Sequence, residues 1–247
     1  MFPIRDHNPS GRTPYVTLAL IGINVLVFLA FNLALSEPQL MRFVYTWGLV
    51  PARVGAGQGL ETVITHMFLH GGWMHIIGNL LFLWIFGDNM ESEMGHLGFL
   101  VFYLASGLAA AGLQFIAEPA STVPMVGASG AIAGVMGGYL LLFPRARVDV
   151  LVIFIVFFRI FAFRAWAVLG LWFGMQVFAG LSTPSDQGGV AYWAHIGGFV
   201  AGGLLTLPVW RRRGAGAYWQ KTEGHPPHPA AQYPLQKTSI PRVGRRR

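Results

Sequence analysis

The sequence predicts an all-α fold, a polytopic membrane protein whose six transmembrane helices form one bundle of about 200 residues in the usual domain range. Three observations predict it. Hydrophobic residues fill 54% of the 247 positions and charged residues only 11%, a balance outside that of soluble domains. Six apolar segments each suit the roughly 17 to 25 helical residues that a bilayer core demands. Basic residues collect where a six-crossing path puts one common side.

Residues 1–14 are polar and contain proline, and they read as an N-terminal tail. The apolar run after them is too long for a signal core, so no cleavable leader is expected. The segments are then Tyr15 to Leu35, Trp73 to about Met90, His96 to Ala117, Val126 to Phe143, Ala165 to Leu181 and Gly189 to Val209. Residues 15–210 form the membrane domain. Residues 211–247 are basic and carry Pro226, Pro227, Pro229 and Pro234, which predicts a largely disordered tail from Gly214 onward.

Charge fixes the expected orientation. Arg5 and Arg12 before the first span, Arg145, Arg147, Arg159 and Arg164 after the fourth, and nine residues after the sixth place fifteen of seventeen Lys and Arg on one side. Only Arg42 and Arg53 lie opposite. Both termini are therefore expected in the cytoplasm. The short apolar piece Val148 to Phe158, which holds Asp149, is then expected to lie in the inner interface rather than to cross. Membrane topology accounts for the net charge of +7, so nucleic acid is not expected as a partner. With no cysteine, the chain has neither a disulfide framework nor a thiolate site.

On this path the second, fourth and sixth spans run in the same direction, and each begins with polar residues. The second carries His75 and Asn79, one turn apart on one face. The fourth carries Gly127-Ala128-Ser129-Gly130, followed by Gly134 and Gly138. The sixth carries Ala194-His195, followed by Gly198 and Gly202. Glycine at four-residue spacing gives a smooth stripe on which a neighbouring backbone can press. Each polar residue alone is compatible with ordinary helix packing. Two imidazoles, an amide and a hydroxyl at one depth in an apolar bundle are a costly set to bury without a use.

The set His75-x-x-x-Asn79, Gly127-x-Ser129-Gly130 and Ala194-His195-x-x-Gly198-x-x-x-Gly202 resembles the rhomboid intramembrane serine proteases, in the bacterial six-helix form. The resemblance covers about residues 10–210, and the approach Thr65 to Trp73 is similar as well. It implies a Ser-His dyad, cleavage of transmembrane protein substrates in or near their membrane segments, the lipid bilayer as working environment, and no cofactor. It leaves the oligomeric state open.

The residues support that chemistry independently. Ser129 is a weak nucleophile until a base removes its proton, and His195 is the histidine at the required depth. Candidate donors for the oxyanion are the Ser129 backbone N–H, the Asn79 amide and the His75 imidazole. No carboxylate stands near His195: Asp186 lies nine residues earlier in a loop. Packing or a backbone contact is thus expected to hold the ring.

Two features depart from the family pattern. Ala133 stands four residues after the serine, where an aromatic residue often supports the imidazole, so Trp193, Tyr139 or another aromatic is expected to substitute. The Trp-Arg pair of the first outer loop is missing, Trp47-Gly48 and Arg53 being the nearest material. That loop, Ser36 to Gly72, has enough apolar residues, Leu40, Phe43 and Leu49 among them, to dip into the outer leaflet. The fifth span, rich in Trp166, Trp172, Phe173 and Phe178 and poor in small residues, is expected to be the loosest and to gate the site laterally beside the second. Two other classes stay open: a non-catalytic member of this fold that binds membrane proteins, and a metal-binding protein using His66, His70 and His75.

Overall fold

A computed structural model describes residues 2–8, 10–154, 157–183 and 189–224. Its long helices follow the apolar segments closely: α1 (Tyr15–Ala34), α5 (Trp73–Met94), α6 (His96–Ala117), α7 (Ser129–Leu142), α8 (Ala165–Ser182) and α9 (Tyr192–Arg212). Four of these, α1, α6, α8 and α9, are long and apolar enough to cross a bilayer. α5 is apolar enough only when joined to the short turns that precede it, Thr62–Phe68, with a bend of 92° between them. The sixth apolar helix, α7, has only 14 residues, but it is the most enclosed: nearly every side chain in it is buried.

The glycine stripes explain that burial. A Cβ on Gly198 would overlap the Gly130 carbonyl, and one on Gly202 would overlap Gly134. The α7 and α9 backbones therefore touch directly, with α6 closing over them through Ala110 and Ser106. This is the close approach that small residues allow where apolar burial alone cannot drive association in lipid. Around the stripe, Phe86, Phe99, Tyr103, Val135 and Met136 fill the remaining core.

Between α1 and α5 the loop Ser36 to Gly72, expected on the outer side, is folded. It contains α2 (Glu37–Trp47), the short helices α3 (Pro51–Gly55) and α4 (Thr62–Thr65), and a 3-10 turn at His66–Phe68. No α2 residue is buried, and Phe43 stacks on Phe31 of α1 at 3.9 Å. Leu49, however, is not turned toward lipid. It pairs with Met125 through two backbone hydrogen bonds of 2.7 and 3.0 Å and is almost fully enclosed. Arg53 donates to the Tyr45 carbonyl at 2.7 Å and sits over the Tyr45 ring, so it is tied to Tyr45 rather than to Trp47.

At the other end the structure differs from expectation. Val148 to Phe158, expected as one apolar piece in the inner interface, falls in two strands: β2 (Arg147–Phe154) and β3 (Phe157–Arg164) form an antiparallel pair, and β1 (Phe2–Asp6) joins β2 to complete a sheet of order β1-β2-β3. β1 is an edge strand, which is where Pro3 costs no ladder bond. Asp149, too polar for a lipid surface, is buried and receives Arg5 Nη2 at 2.7 Å and faces His7 Nε2 at 2.7 Å. The tail also starts later than expected. Gly216–Thr222 form α10, held by Tyr218, which is buried, and by Trp219, whose Nε1 donates to the Leu141 carbonyl at 3.0 Å. The remaining prolines of the tail lie outside the described residues, as does Asp186.

Candidate active site

Ser129 opens α7, and the local sequence decides where it points. Gly127 adopts φ +126°, open to glycine at little cost, and its N–H donates to the His66 carbonyl at 2.9 Å. That fixes the chain entering α7 beneath the outer loop. A Cβ on Gly127 would come 2.7 Å from His75 Nε2, so the bare glycine is also what lets the His75 ring lie beside the serine.

His195 lies in the first turn of α9, and the glycine contact one turn further on brings α9 against α7. The result is a hydrogen bond of 2.7 Å between Ser129 Oγ and His195 Nε2. Ser129 is half-buried, while His195 is 9% exposed, so the hydroxyl is reachable and the base is sheltered. His195 Nδ1 lies 2.8 Å from Gln176 Oε1 of α8, and the Trp172 ring sits against the imidazole with centroids 5.7 Å apart.

His75 and Asn79 reach the same place from α5. Together with Ser129, His195, Phe82 and Trp172 they line a cavity of about 590 Å³. Asn79 is buried, and its Nδ2 has no hydrogen-bond partner among the described residues. A buried N–H without an acceptor is costly, and this one borders the space beside the serine. The N-terminus of α7 adds backbone N–H groups that no helical carbonyl can satisfy.

Other expectations resolve differently. Tyr139 is far from the imidazole. Its hydroxyl donates to Asp6 Oδ2 at 2.9 Å and accepts from Asn8, at the end of the bundle where the sheet lies. Trp193 faces Gly180. The ring contacts of His195 come instead from α8, through a side-chain amide and an indole. Neither is a carboxylate, and Trp172 and Gln176 stand four apart on one face of α8. His66, His70 and His75 do not converge as a metal set. His66 Nδ1 is 2.8 Å from the Thr62 carbonyl, His70 meets His75 edge-on at 5.1 Å, and no group of three or more metal-binding side chains occurs among the described residues.

A family model described as the Rhomboid domain matches residues 57–212. The chain is 30% identical over 194 residues to "Rhomboid protein 1, mitochondrial" of Saccharomyces cerevisiae, covering 75% of this chain and 51% of the yeast protein. It is 27% identical over 197 residues to "Rhomboid protease GluP" of Bacillus subtilis, covering 79% of this chain and 36% of that one. A shorter match, 41% over 71 residues, links it to "Rhomboid-like protein 11, chloroplastic" of Arabidopsis thaliana, covering 29% of this chain and 25% of that one. The chain thus spans about half or less of the length of these relatives. With its apolar helices and the matched domain containing Ser129 and His195, this integral membrane protein belongs to the rhomboid family.

Proposed function

We propose that the chain is a serine endopeptidase that hydrolyses peptide bonds in or near the transmembrane segments of membrane proteins, with Ser129 as nucleophile and His195 as base. The 2.7 Å contact between Ser129 Oγ and His195 Nε2 at the edge of a cavity of about 590 Å³ carries the reading. His195 takes the serine proton as Oγ attacks the scissile carbonyl, then gives it to the leaving nitrogen; water repeats the exchange to release the acyl group. The oxyanion is received by the α7 N-terminus, the free Asn79 amide and His75. That a family member is named a protease supports the assignment.

The proposed path crosses the membrane six times with both termini in the cytoplasm. The sheet supports it, because β1, the β2–β3 hairpin and α10 gather at one end of the bundle together with Arg5, Arg145 and Arg213. The proposed domains are an N-terminal segment at residues 1–14, whose Phe2–Asp6 pairs with β2, a membrane domain at 15–210 and a basic C-terminal segment at 211–247, whose first part forms α10. A bacterial inner membrane would put the active site near its outer surface.

Reconstitution into liposomes with a transmembrane substrate tests the reading. Wild type cleaves, while Ser129→Ala and His195→Ala each lose about 10⁴-fold or more. Equal turnover by all three would leave a non-catalytic, substrate-binding role as the reading to pursue.

A further inference from the structure

His195 is held from α8. Apart from Ser129, no side chain of α7, where Ala133 stands four residues on, and no carboxylate among the described residues makes a hydrogen bond or ring contact with it. Gln176 Oε1 lies 2.8 Å from Nδ1, and Trp172, one turn earlier on the same face, tilts 36° against the imidazole. We propose that Gln176 is a positioning residue that keeps the His195 proton on Nδ1, so that Nε2 presents its lone pair to Ser129, while Trp172 limits the tilt of the ring. This rests on the Ser-His reading above.

The proton inventory carries the argument. A neutral imidazole has one donor and one acceptor nitrogen, and an amide oxygen can only accept. Nδ1 must then hold the hydrogen. Nε2 is left bare, 2.7 Å from an oxygen that must donate. When the Ser129 proton moves from Oγ to Nε2, the Nδ1–H bond to Gln176 persists, and no group has to turn before the proton is delivered to the leaving nitrogen. The other tautomer would aim a hydrogen at Oγ and block attack.

The choice of an amide follows from the location. α8 is the least buried of the four long apolar helices. An ionised carboxylate there would sit beside lipid at a large desolvation cost, whereas an amide offers the same directed oxygen without net charge. What is given up is full-charge stabilisation of the imidazolium.

The groups facing the ring are Ser129 from α7, Gln176 and Trp172 from α8, and His75 across the cavity from α5. From α6, Gln114 accepts the Ala194 N–H at 3.1 Å and donates to Glu118 at 3.0 Å. Any change in the titration of His195 on altering Gln176 is read against these unchanged neighbours.

The test uses the full chain in liposomes, with cleavage of a transmembrane substrate followed from pH 5 to 9. Gln176→Leu removes the acceptor and should lower kcat about 10- to 100-fold with little change in KM, the size expected for a misaimed base. Gln176→Glu restores an acceptor and should recover most of that loss. It should also move the acid limb of kcat/KM up by about one pH unit, because a carboxylate favours the imidazolium. A role in helix packing alone predicts neither the recovery nor the shift. Wild-type kcat in Gln176→Leu overturns the proposal, and so does an unmoved acid limb in Gln176→Glu; the second result decides even where the leucine variant fails to fold. Ser129→Ala runs in parallel: its inactivity beside an unaffected Gln176→Leu refutes this proposal alone, and its activity refutes the protease reading.

Discussion

Gly198 of α9 rests on the backbone carbonyl of Gly130 in α7, three residues from His195 and one from Ser129. No other residue type fits there without moving a backbone. The distance between hydroxyl and imidazole is thus set by a contact between two main chains, which cannot yield as side chains do.

Gly198→Ala should therefore cost activity as well as stability. Overpacking a filled core typically costs about 1 to 3 kcal/mol, partly offset by about 0.5 to 1 kcal/mol of helix propensity gained over glycine. The expected result is a lower thermal midpoint in detergent and a fall in cleavage larger than the unfolded fraction explains. The same substitution at Gly112 in α6, whose Cβ would meet nothing within 4 Å, serves as control: it should leave activity unchanged and the midpoint the same or slightly higher.

Gly127 links the outer loop to the site. Gly127→Ala forces an unfavourable φ and drives a methyl toward His75 Nε2. If His75 assists the oxyanion, Gly127→Ala and His75→Ala should each lower kcat by about 10- to 10³-fold, and the double variant should be no worse than the poorer single one. Additive losses would separate the two roles.

Asn79 gives a cleaner test of charge stabilisation. Asn79→Ala removes a buried amide that has no partner among the described residues, so it should leave the thermal midpoint unchanged or slightly raised. Its kcat should drop about 10²- to 10³-fold. A large stability loss with intact kcat would mark Asn79 as a packing residue.

Much of the fold was legible because apolar runs of span length leave the chain few options. The starts of α1, α5, α6 and α8 lie at the first residue of their apolar runs, since proline, glycine or arginine precedes each. The sheet was not legible. Val148, Val150 and Val152 carry a strand signal, but their partner β1 lies some 145 residues earlier and includes Pro3. At the site, Ser129, His195, His75 and Asn79 stood out because polar groups are rare in such segments. Gln176 did not, because a lone amide on an aromatic helix has no spacing motif, and only the crossing of α8 with α9 reveals its partner.

The sheet end of the bundle carries its own pH response. Burial pushes the Asp6 carboxyl up to about 7, the bond from Tyr139 opposes this, and nearby Asp88 adds to it. Between about pH 4 and 7 the folded chain keeps a proton that the unfolded chain has released, so stability declines as pH rises through that window. Asp6→Asn should shrink the difference in thermal midpoint between pH 5 and pH 8, chiefly by raising the value at pH 8. An unchanged difference would remove Asp6 as its source.

A lateral gate predicts that access and chemistry separate. Phe82 of α5 and Trp172 of α8 border the cavity from two sides, and the chain has no native cysteine to interfere with engineered pairs. A disulfide joining the outer ends of α5 and α8 should abolish cleavage of a transmembrane substrate while a small fluorophosphonate still labels the protein. Retained cleavage by the linked form would place substrate entry elsewhere.

The pairing of Ser129 with His195 is tested most directly by the rate at which a fluorophosphonate forms its adduct, located by mass spectrometry. The account predicts a single modified residue, Ser129, with a labelling rate that falls at least about 10³-fold in His195→Ala and declines as pH drops and the imidazole charges. Modification of Ser129 at the same rate with and without His195, or at a different residue, would contradict it.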